Sequence, residues 1–329
     1  MKVLIIRLSS FGDQIHACPA VSDLKKQKPD VEIHWLVQTE FAAVSSAHEA
    51  VAKVMRVPLS EIKKQPKTIR HWLEFFRVVN CLRKEQYDVA VDLHGVLKSA
   101  VMAVLSGAKV RIGFDRIGLA ESAAYWLYHR HFHYCPGMTS VTKLRKFFWW
   151  AFDLRSIDDA LDFGLSKKNE STRQKKSGVF FVPFASHGSK TLPLDSWAAL
   201  ARAIHDKYPD LVITLSWGSD QEKSAARQIT GQTNGYLRLN SHRMDFDELI
   251  ESTEGYELVV GSDTGITHLA NALGVPTVMI FKKSAPELFY IAGSQDSLYL
   301  GSANTPPTQA VIEATVLKLL DRIYKNPPV

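Results

Sequence analysis

The stretch Tyr256 to Phe281, YELVVGSDTGITHLANALGVPTVMIF, leaves the chain few folding options, because it spells strand, turn, helix, turn and strand with almost no residue to spare. Tyr256 to Val260 is a short apolar run of the kind buried on both faces of a parallel sheet, and Gly261, Ser262 and Asp263 break it. A helix follows. Ile266, Leu269, Ala270 and Leu273 recur at helical spacing, Asp263 or Thr264 can cap the start, and Gly274 then Pro276 stop it. Thr277 to Phe281 is the returning strand. A helix that starts at the end of a parallel strand offers free backbone N–H groups to an anion such as a phosphate. Gly265 lets a ligand approach, and His268 stands one turn in on the Thr264 side. Plain capping by Asp263 and a satisfied helix histidine at 268 fit the same residues equally well.

The same alternation runs through the chain. Lys2 to Arg7 is a strand, LSSFGD a polar turn, and Gln14 to Lys28 a helix marked by Ile15, Cys18, Val21 and Leu24, with Pro19 disturbing its start and Pro29 ending it. Val31 to Val37, Tyr87 to Asp92 and Val110 to Phe114 are further strands. Gly164 to Ser177 is charged and poor in apolar residues, as a connection between domains would be. After it come a strand at Gly178 to Pro183, a helix from Pro193 or Leu194 with Trp197, Leu200, Ala201 and Ile204 inward, and a strand at Leu211 to Ser216. Thr308 to Tyr324 reads as a terminal helix with Val311, Ala314, Thr315, Leu319 and Ile323 on its apolar side. The expected fold is α/β, with two Rossmann-like domains facing a central cleft: residues 1–164, a linker at 165–177, residues 178–307, and a final helix at 308–329 free to pack back on the first domain.

Polar side chains collect where strands end. Ser10, Gly12 and Asp13 follow the first strand, His94 and Lys98 the strand ending at Asp92, and Arg116 the strand ending at Phe114. Ser186, Ser189, Lys190 and Thr191 precede a helix, as a phosphate site requires, and Asp220 and Glu222 lie beyond Ser216, where a carboxylate can meet a ribose or simply cap. Asp13 is either a capping residue or, facing a cleft, a general base. A Gly-x-Gly-x-x-Gly fingerprint is absent. Lys63, Lys64, Lys67, Arg70, Arg77 and Arg83 are interleaved with Trp72, Phe75 and Phe76; helical spacing predicts aromatics packed inward beneath a solvated basic face, while a phosphate-holding flap is the sharper alternative. His129, His131 and His133 lack the company of a carboxylate or thiolate and read as surface or interface histidines. Asp245-Phe246-Asp247 reads as the acidic first turn of a helix, so neither cluster is taken as a metal site.

Lys plus Arg exceed Asp plus Glu by 40 to 34, a net charge of +6 that suits an acidic partner: a phosphorylated substrate, an anionic membrane surface or a nucleic acid. At 46% hydrophobic residues the chain is globular, and no uncharged run approaches membrane-spanning length. The apolar run between Lys2 and Arg7 is too short for a signal sequence. Cys18, Cys81 and Cys135 show neither zinc nor redox spacing, which fits a reducing compartment.

Four segments in order, SSFGDQIHACPA, DLHGVLKSA, SHGSKTLP and VVGSDTGITHLANALGVPTV, resemble the bacterial lipopolysaccharide heptosyltransferases, the first two most of all heptosyltransferase I. The resemblance implies a GT-B glycosyltransferase, cytoplasmic and peripheral on the anionic inner face of the inner membrane. It would transfer L-glycero-D-manno-heptose from ADP-heptose to a Kdo residue of lipid A with inversion, without metal or cofactor and without nucleic acid. It makes Asp13 the catalytic base. On the donor side it puts Ser186, Lys190, Thr191, Asp263, Thr264, Gly265 and His268, with Asp220 or Glu222 at the ribose. On the acceptor side it puts Ser10, Gly12, Lys63, Lys64, Lys67, His94, Lys98 and Arg116. The chain departs from the family pattern at Leu192, where tryptophan is usual, at Lys282-Lys283-Ser284, which replaces Gly-Pro-Thr, and after Arg116, where an arginine of some members is missing. The alternatives are a related GT-B transferase for a later heptose or another acceptor, and a non-catalytic nucleotide- or nucleic-acid-binding protein.

Overall fold

The computed structural model describes residues 1–156, 161–165, 178–185, 188–289 and 296–325. The chain divides into two compact units, Met1–Ser166 and Lys167–Val329, each built on one six-stranded sheet. Nearly all of the stretch read as a linker, 166–177, lies outside the described residues.

The first unit runs β1 (Lys2–Ile6), α1 (Phe11–Gln27), β2 (Glu32–Gln38), α2 (Ala42–Ala47), β3 (Val51–Val57), α3 (Leu59–Lys64), α4 (Ile69–Lys84), β4 (Val89–Asp92), α5 (Leu97–Leu105), β5 (Val110–Phe114), β6 (Arg130–Phe132) and α6 (Ser140–Phe152). Its strands lie in the order β3-β2-β1-β4-β5-β6, every pair parallel. Val3, Leu4, Ile5 and Ile6 are fully buried, as a central strand covered on both faces requires. α1 runs unbroken through Pro19, whose missing N–H costs one helical hydrogen bond.

The second unit runs β7 (Val179–Val182), α7 (Leu194–Lys207), β8 (Ile213–Leu215), α8 (Asp220–Gly231), β9 (Leu237–Leu239), α9 (Phe246–Thr253), β10 (Leu258–Ser262), α10 (Gly265–Ala272), β11 (Thr277–Ile280), α11 (Pro286–Phe289), β12 (Leu298–Leu300) and α12 (Gln309–Lys325). Its order, β12-β11-β10-β7-β8-β9, is again wholly parallel and repeats the first unit's topology. In each unit the first strand has the second on one side and the fourth on the other. The loops leaving those two central strands therefore diverge and open a crevice at the carboxyl edge. That edge lies beyond β1 and β4 in the first unit, and beyond β7 and β10 in the second.

Two sequence expectations need correction. On α12 the residues buried are Ile312, Val316, Leu319 and Leu320, packed with Trp197, Leu200 and Ile204 of the second unit's core, while Val311 is exposed. The apolar side starts one residue later than the reading that began at Val311, while Leu319 and Ile323 keep their place on it. On α4 only Val79 and Leu82 are buried, with Phe75 and Val78 half-covered, while Trp72 and Phe76 are exposed. Phe76 follows Phe75 by about 100° round the helix, so the two rings cannot share one face. Among the described residues no helix is long and apolar enough to cross a membrane.

One buried ion pair ties the first and last helices of the first unit. Arg145 of α6 donates from Nε to Asp23 of α1 at 2.7 Å and from Nη2 at 3.2 Å, and the Trp149 indole N–H adds a third bond to that carboxylate at 3.0 Å. Both charged side chains are buried. Removing one partner leaves the other charge uncompensated, so Asp23→Ala is expected to cost about 3 kcal/mol. Urea unfolding followed by circular dichroism measures it, and a loss below about 1 kcal/mol would show that the pair is dispensable.

Candidate active site

In the first unit the crevice is built from the turns after β1 and β4. Asp13 is the third residue of α1, and its Oδ2 accepts hydrogen bonds at 2.9 Å from both the N–H and the hydroxyl of Ser10, the residue before the helix. Its Oδ1 lies 2.8 Å from Nη2 of Arg7, at the end of β1, and another Arg7 nitrogen donates to the carbonyl of Leu93 beyond β4. Arg7 thus bridges the two turns. Burial works to raise the Asp13 pKa, but the Arg7 charge and the Ser10 donors outweigh it and hold the carboxyl down at about 2. Asp13 is therefore both a capping residue and an ionised, half-exposed carboxylate.

The β4 turn is organised by Asp92, which is fully buried. Oδ1 accepts from the N–H groups of His94 and Gly95 at 2.8 and 3.3 Å, and Oδ2 from the Tyr128 hydroxyl at 2.7 Å. Tyr128 reaches it across Gly113 of β5, where a Cβ would come within 2.4 Å of the ring. Burial pushes the His94 pKa down to about 3, with help from the Arg7 and Lys98 charges, so this imidazole is neutral at pH 7. Its Nδ1 is buried and has no hydrogen-bond partner among the described residues. Lys143 of α6 lies over the rings of Phe114 and Tyr134, and its pKa is lowered by burial and then by the charge of Arg7. Arg7, Asp92, Tyr128 and Lys143 were not singled out from the sequence. Arg7 carried the one available signal, a cation at the strand end directly ahead of SSFGD.

In the second unit Asp263 is the centre. Its carboxylate accepts from Lys190 Nζ at 2.7 Å and the Ser284 hydroxyl at 2.5 Å on Oδ2, and from His268 Nε2 at 3.0 Å on Oδ1. Burial opposes ionisation, yet His268, Lys190 and Ser284 hold the carboxyl well below the usual range. Asp263 is thus no helix cap: Thr264 occupies that position and its hydroxyl pairs with Thr267 at 3.2 Å. Gly261 lets α10 lie close on β10, since a Cβ there would meet the Thr267 hydroxyl at 2.4 Å. The Ser262 hydroxyl donates to the Pro183 carbonyl at 2.8 Å and so joins the ends of β10 and β7. Lys190 is brought to the start of α10 in this way, and Lys282 braces the same loop by donating to the Thr191 carbonyl at 3.0 Å. Leu192 is buried in the core beside Trp197, filling the position where a tryptophan was expected. Ser186 lies outside the described residues. Beyond β8, Glu222 accepts from the Gly218 N–H at 2.6 Å, whereas Asp220 is exposed at the helix start.

The other candidates are more scattered. Lys63, Lys64 and Lys67 are exposed on and after α3, Lys98 is exposed on α5, and Arg116 stacks its guanidinium on Tyr125 and Trp126 at 4.7 and 5.0 Å. The three alternate histidines turn to different partners: His129 accepts from the Arg111 N–H, His131 pairs with the Tyr125 carbonyl and His133 with Asp115. Asp245 caps α9 through the Glu248 N–H at 2.8 Å, as an acidic first turn should. Glu32, His34 and Glu85 do converge, but Lys2 and Lys53 already hold the Glu85 carboxylate at 2.8 and 2.6 Å.

Two parallel six-stranded α/β units, one with an ionised aspartate and one with a lysine held on a buried aspartate at their strand ends, have the architecture of the GT-B class. The E. coli heptosyltransferase WaaC with ADP has this fold, with a TM-score of 0.88 and 23% identity over 97% of this chain and 100% of that one. The model of glycosyltransferase family 9 (heptosyltransferase) matches residues 75–315, and the chain belongs to that family. Lipopolysaccharide heptosyltransferase 1 of Campylobacter coli is 32% identical over 85% of this chain and 84% of the relative, and that of Pseudomonas aeruginosa 30% over 92% and 84%. Family membership answers against the non-catalytic alternative.

The Arg7 contact sets the charge state of Asp13, and titration tests it. Because the folded pKa is depressed, this carboxylate stabilises the fold above its unfolded value near 3.9, and the contribution is lost as pH falls through about 2. Carbon-13 NMR of the side chain should give a midpoint near 2 that climbs toward about 4 in Arg7→Met. An unchanged midpoint in that variant would remove Arg7 as the cause.

Proposed function

We propose that this heptosyltransferase moves L-glycero-D-manno-heptose from ADP-heptose to a Kdo residue of lipid A, with inversion at the anomeric carbon, in assembly of the lipopolysaccharide inner core. What carries the reading is an ionised aspartate at the start of α1 in a chain 32% identical to a lipopolysaccharide heptosyltransferase 1. E. coli heptosyltransferase WaaC, which has the same fold, is known with ADP and with ADP-2-deoxy-2-fluoro heptose, and this supports the same donor here.

In the proposed reaction a Kdo hydroxyl donates a hydrogen bond to Asp13, and its oxygen attacks the anomeric carbon of heptose. The bond from that carbon to the diphosphate oxygen breaks on the opposite face, the hydroxyl proton passes to Asp13, and ADP leaves. A pKa near 2 makes Asp13 a weak base at rest, but it guarantees the ionised form at neutral pH. The hydroxyl turns acidic only as the new bond forms, and a positioned base then contributes about 10²- to 10⁴-fold. His94, neutral at pH 7, stands on the β4 turn as a second candidate contact to the acceptor, with Ser10 and Gly12 on the β1 turn. Lys98, Arg116, Lys63, Lys64 and Lys67 supply positive charge for the carboxylates and phosphates of the acceptor.

On the donor side, negative charge gathers on the diphosphate as the bond breaks. Lys190 and the N–H groups of Thr264 and Gly265 answer it, Thr191 adjoins Lys190, and Asp263 with His268 holds Lys190 in place. Glu222 is the better placed carboxylate for the ribose, since Gly218 fixes its orientation while Asp220 faces solvent. The protein works at the cytoplasmic face of the inner membrane, where its lipid-anchored acceptor resides.

Two substitutions separate the roles. Asp13→Asn should lower heptose transfer by at least about 10²-fold while ADP binding by calorimetry stays within about twofold. Lys190→Ala should instead weaken ADP binding by about tenfold or more, the loss of one charge-assisted contact. Near-normal turnover in Asp13→Asn would falsify the base assignment.

A further inference from the structure

Helix α4 carries two apolar faces. Val79 and Leu82, with Phe75 and Val78, meet the sheet. Ile69, Leu73 and Phe76 form a second stripe at spacings of four and three residues, exposed by 69, 51 and 61%, with Trp72 exposed beside it. The neighbouring helix α5 continues the pattern, because Leu97, Val101 and Val104 recur at the same spacing and are exposed. A soluble surface helix has no need of a second apolar stripe, and adjacent stripes on two helices mark an interaction surface.

The charge around the stripe selects its occupant. Leu59 to Lys84 holds seven basic residues, Lys63, Lys64, Lys67, Arg70, Arg77, Arg83 and Lys84, against Glu61 and Glu74. This one segment accounts for a surplus of five in a chain whose net charge is +6. On the helix itself Arg70, Arg77 and Lys84 run along one flank of the Ile69–Leu73–Phe76 stripe and Arg83 lies on the other, with Trp72 bonded through its indole N–H to the Pro66 carbonyl at 2.8 Å. A second copy of this chain would set like charges against one another. An anionic lipid surface meets every requirement, with headgroup phosphates for the flanking cations, acyl chains for the stripe, and an interfacial region for the exposed Trp72 indole.

The location agrees. In a parallel sheet each crossover helix starts at the carboxyl edge, so Ile69 to Phe76 and Leu97 lie toward the edge that carries Asp13 and His94. We infer that the exposed faces of α4 and α5 seat the first unit on an anionic bilayer, with Ile69, Leu73 and Phe76 inserted at headgroup level and Arg70 and Arg77 on lipid phosphates. The inference rests on the heptosyl-transfer reading only in taking the acceptor to be lipid-anchored.

Co-sedimentation with vesicles of phosphatidylethanolamine and phosphatidylglycerol, against vesicles of phosphatidylcholine alone, tests it without donor or acceptor. The wild-type chain should bind the anionic vesicles and be released by salt. The Leu73→Glu/Phe76→Glu pair should lower partitioning by at least about tenfold. Arg70→Gln/Arg77→Gln should lower it and flatten its salt dependence. Because all four positions are exposed, circular dichroism, Tm and turnover with a deacylated, water-soluble acceptor should match wild type. Wild-type protein left in the supernatant overturns the inference, as does a Leu73→Glu/Phe76→Glu variant that still binds. A dimer broken by the same pair, with no vesicle binding, would assign the face to self-association instead. Absent transfer alongside normal vesicle binding would tell against the enzymatic reading and leave this result standing.

Discussion

A parallel strand delivers every chain exit to the same edge of its sheet, and a helix must begin there to carry the chain back. Both units obey this constraint through six strands, and both place the return to the first strand's free side at the same point in the order. Polar loops therefore accumulate beyond β1 and β4, and beyond β7 and β10. Asp13, His94, Lys190 and Asp263 all stand on those four turns.

The two crevices solve the problem of a low-dielectric carboxylate in different ways. Asp263 is buried and surrounded by three donors, so its charge is spent on fixing Lys190, His268 and Ser284 in one geometry. Asp13 is half-exposed and held from one side, by Arg7 on Oδ1 and Ser10 on Oδ2, which leaves it accessible. The first arrangement is fixed by three donors, and the second leaves a carboxylate accessible, which is what the proposed base role asks of it. Lys282 and Ser284 show how the departure from the family pattern is accommodated: one braces the Thr191 carbonyl, the other completes the Asp263 cluster.

The fold was legible because its signals are local. Apolar runs such as Val3 to Ile6 and the stops at Pro29, Gly274 and Pro276 need only neighbouring residues to be read. Asp13, Lys190 and Asp263 were legible as candidates because they follow strands, but whether they cap or pair depends on distant partners. Arg7 meets Leu93, and Lys190 meets Asp263, across 86 and 73 positions, and spacing cannot predict such pairs. Asp92 with Tyr128 was missed for the same reason. The outward stripe of α4 was misread because an aromatic at helical spacing looks the same whether the core or another surface receives it.

The central claim is that this chain joins heptose to a Kdo-bearing acceptor. The most direct measurement is incubation of the purified protein with ADP-heptose and Kdo-lipid A, with a heptosylated acceptor run in parallel, and mass spectrometry of the products. One heptose should be added to Kdo-lipid A, ADP should be released in equal amount, and the product's anomeric configuration should be opposite to the donor's by NMR. Transfer to the heptosylated acceptor alone, or a product with retained configuration, would contradict it.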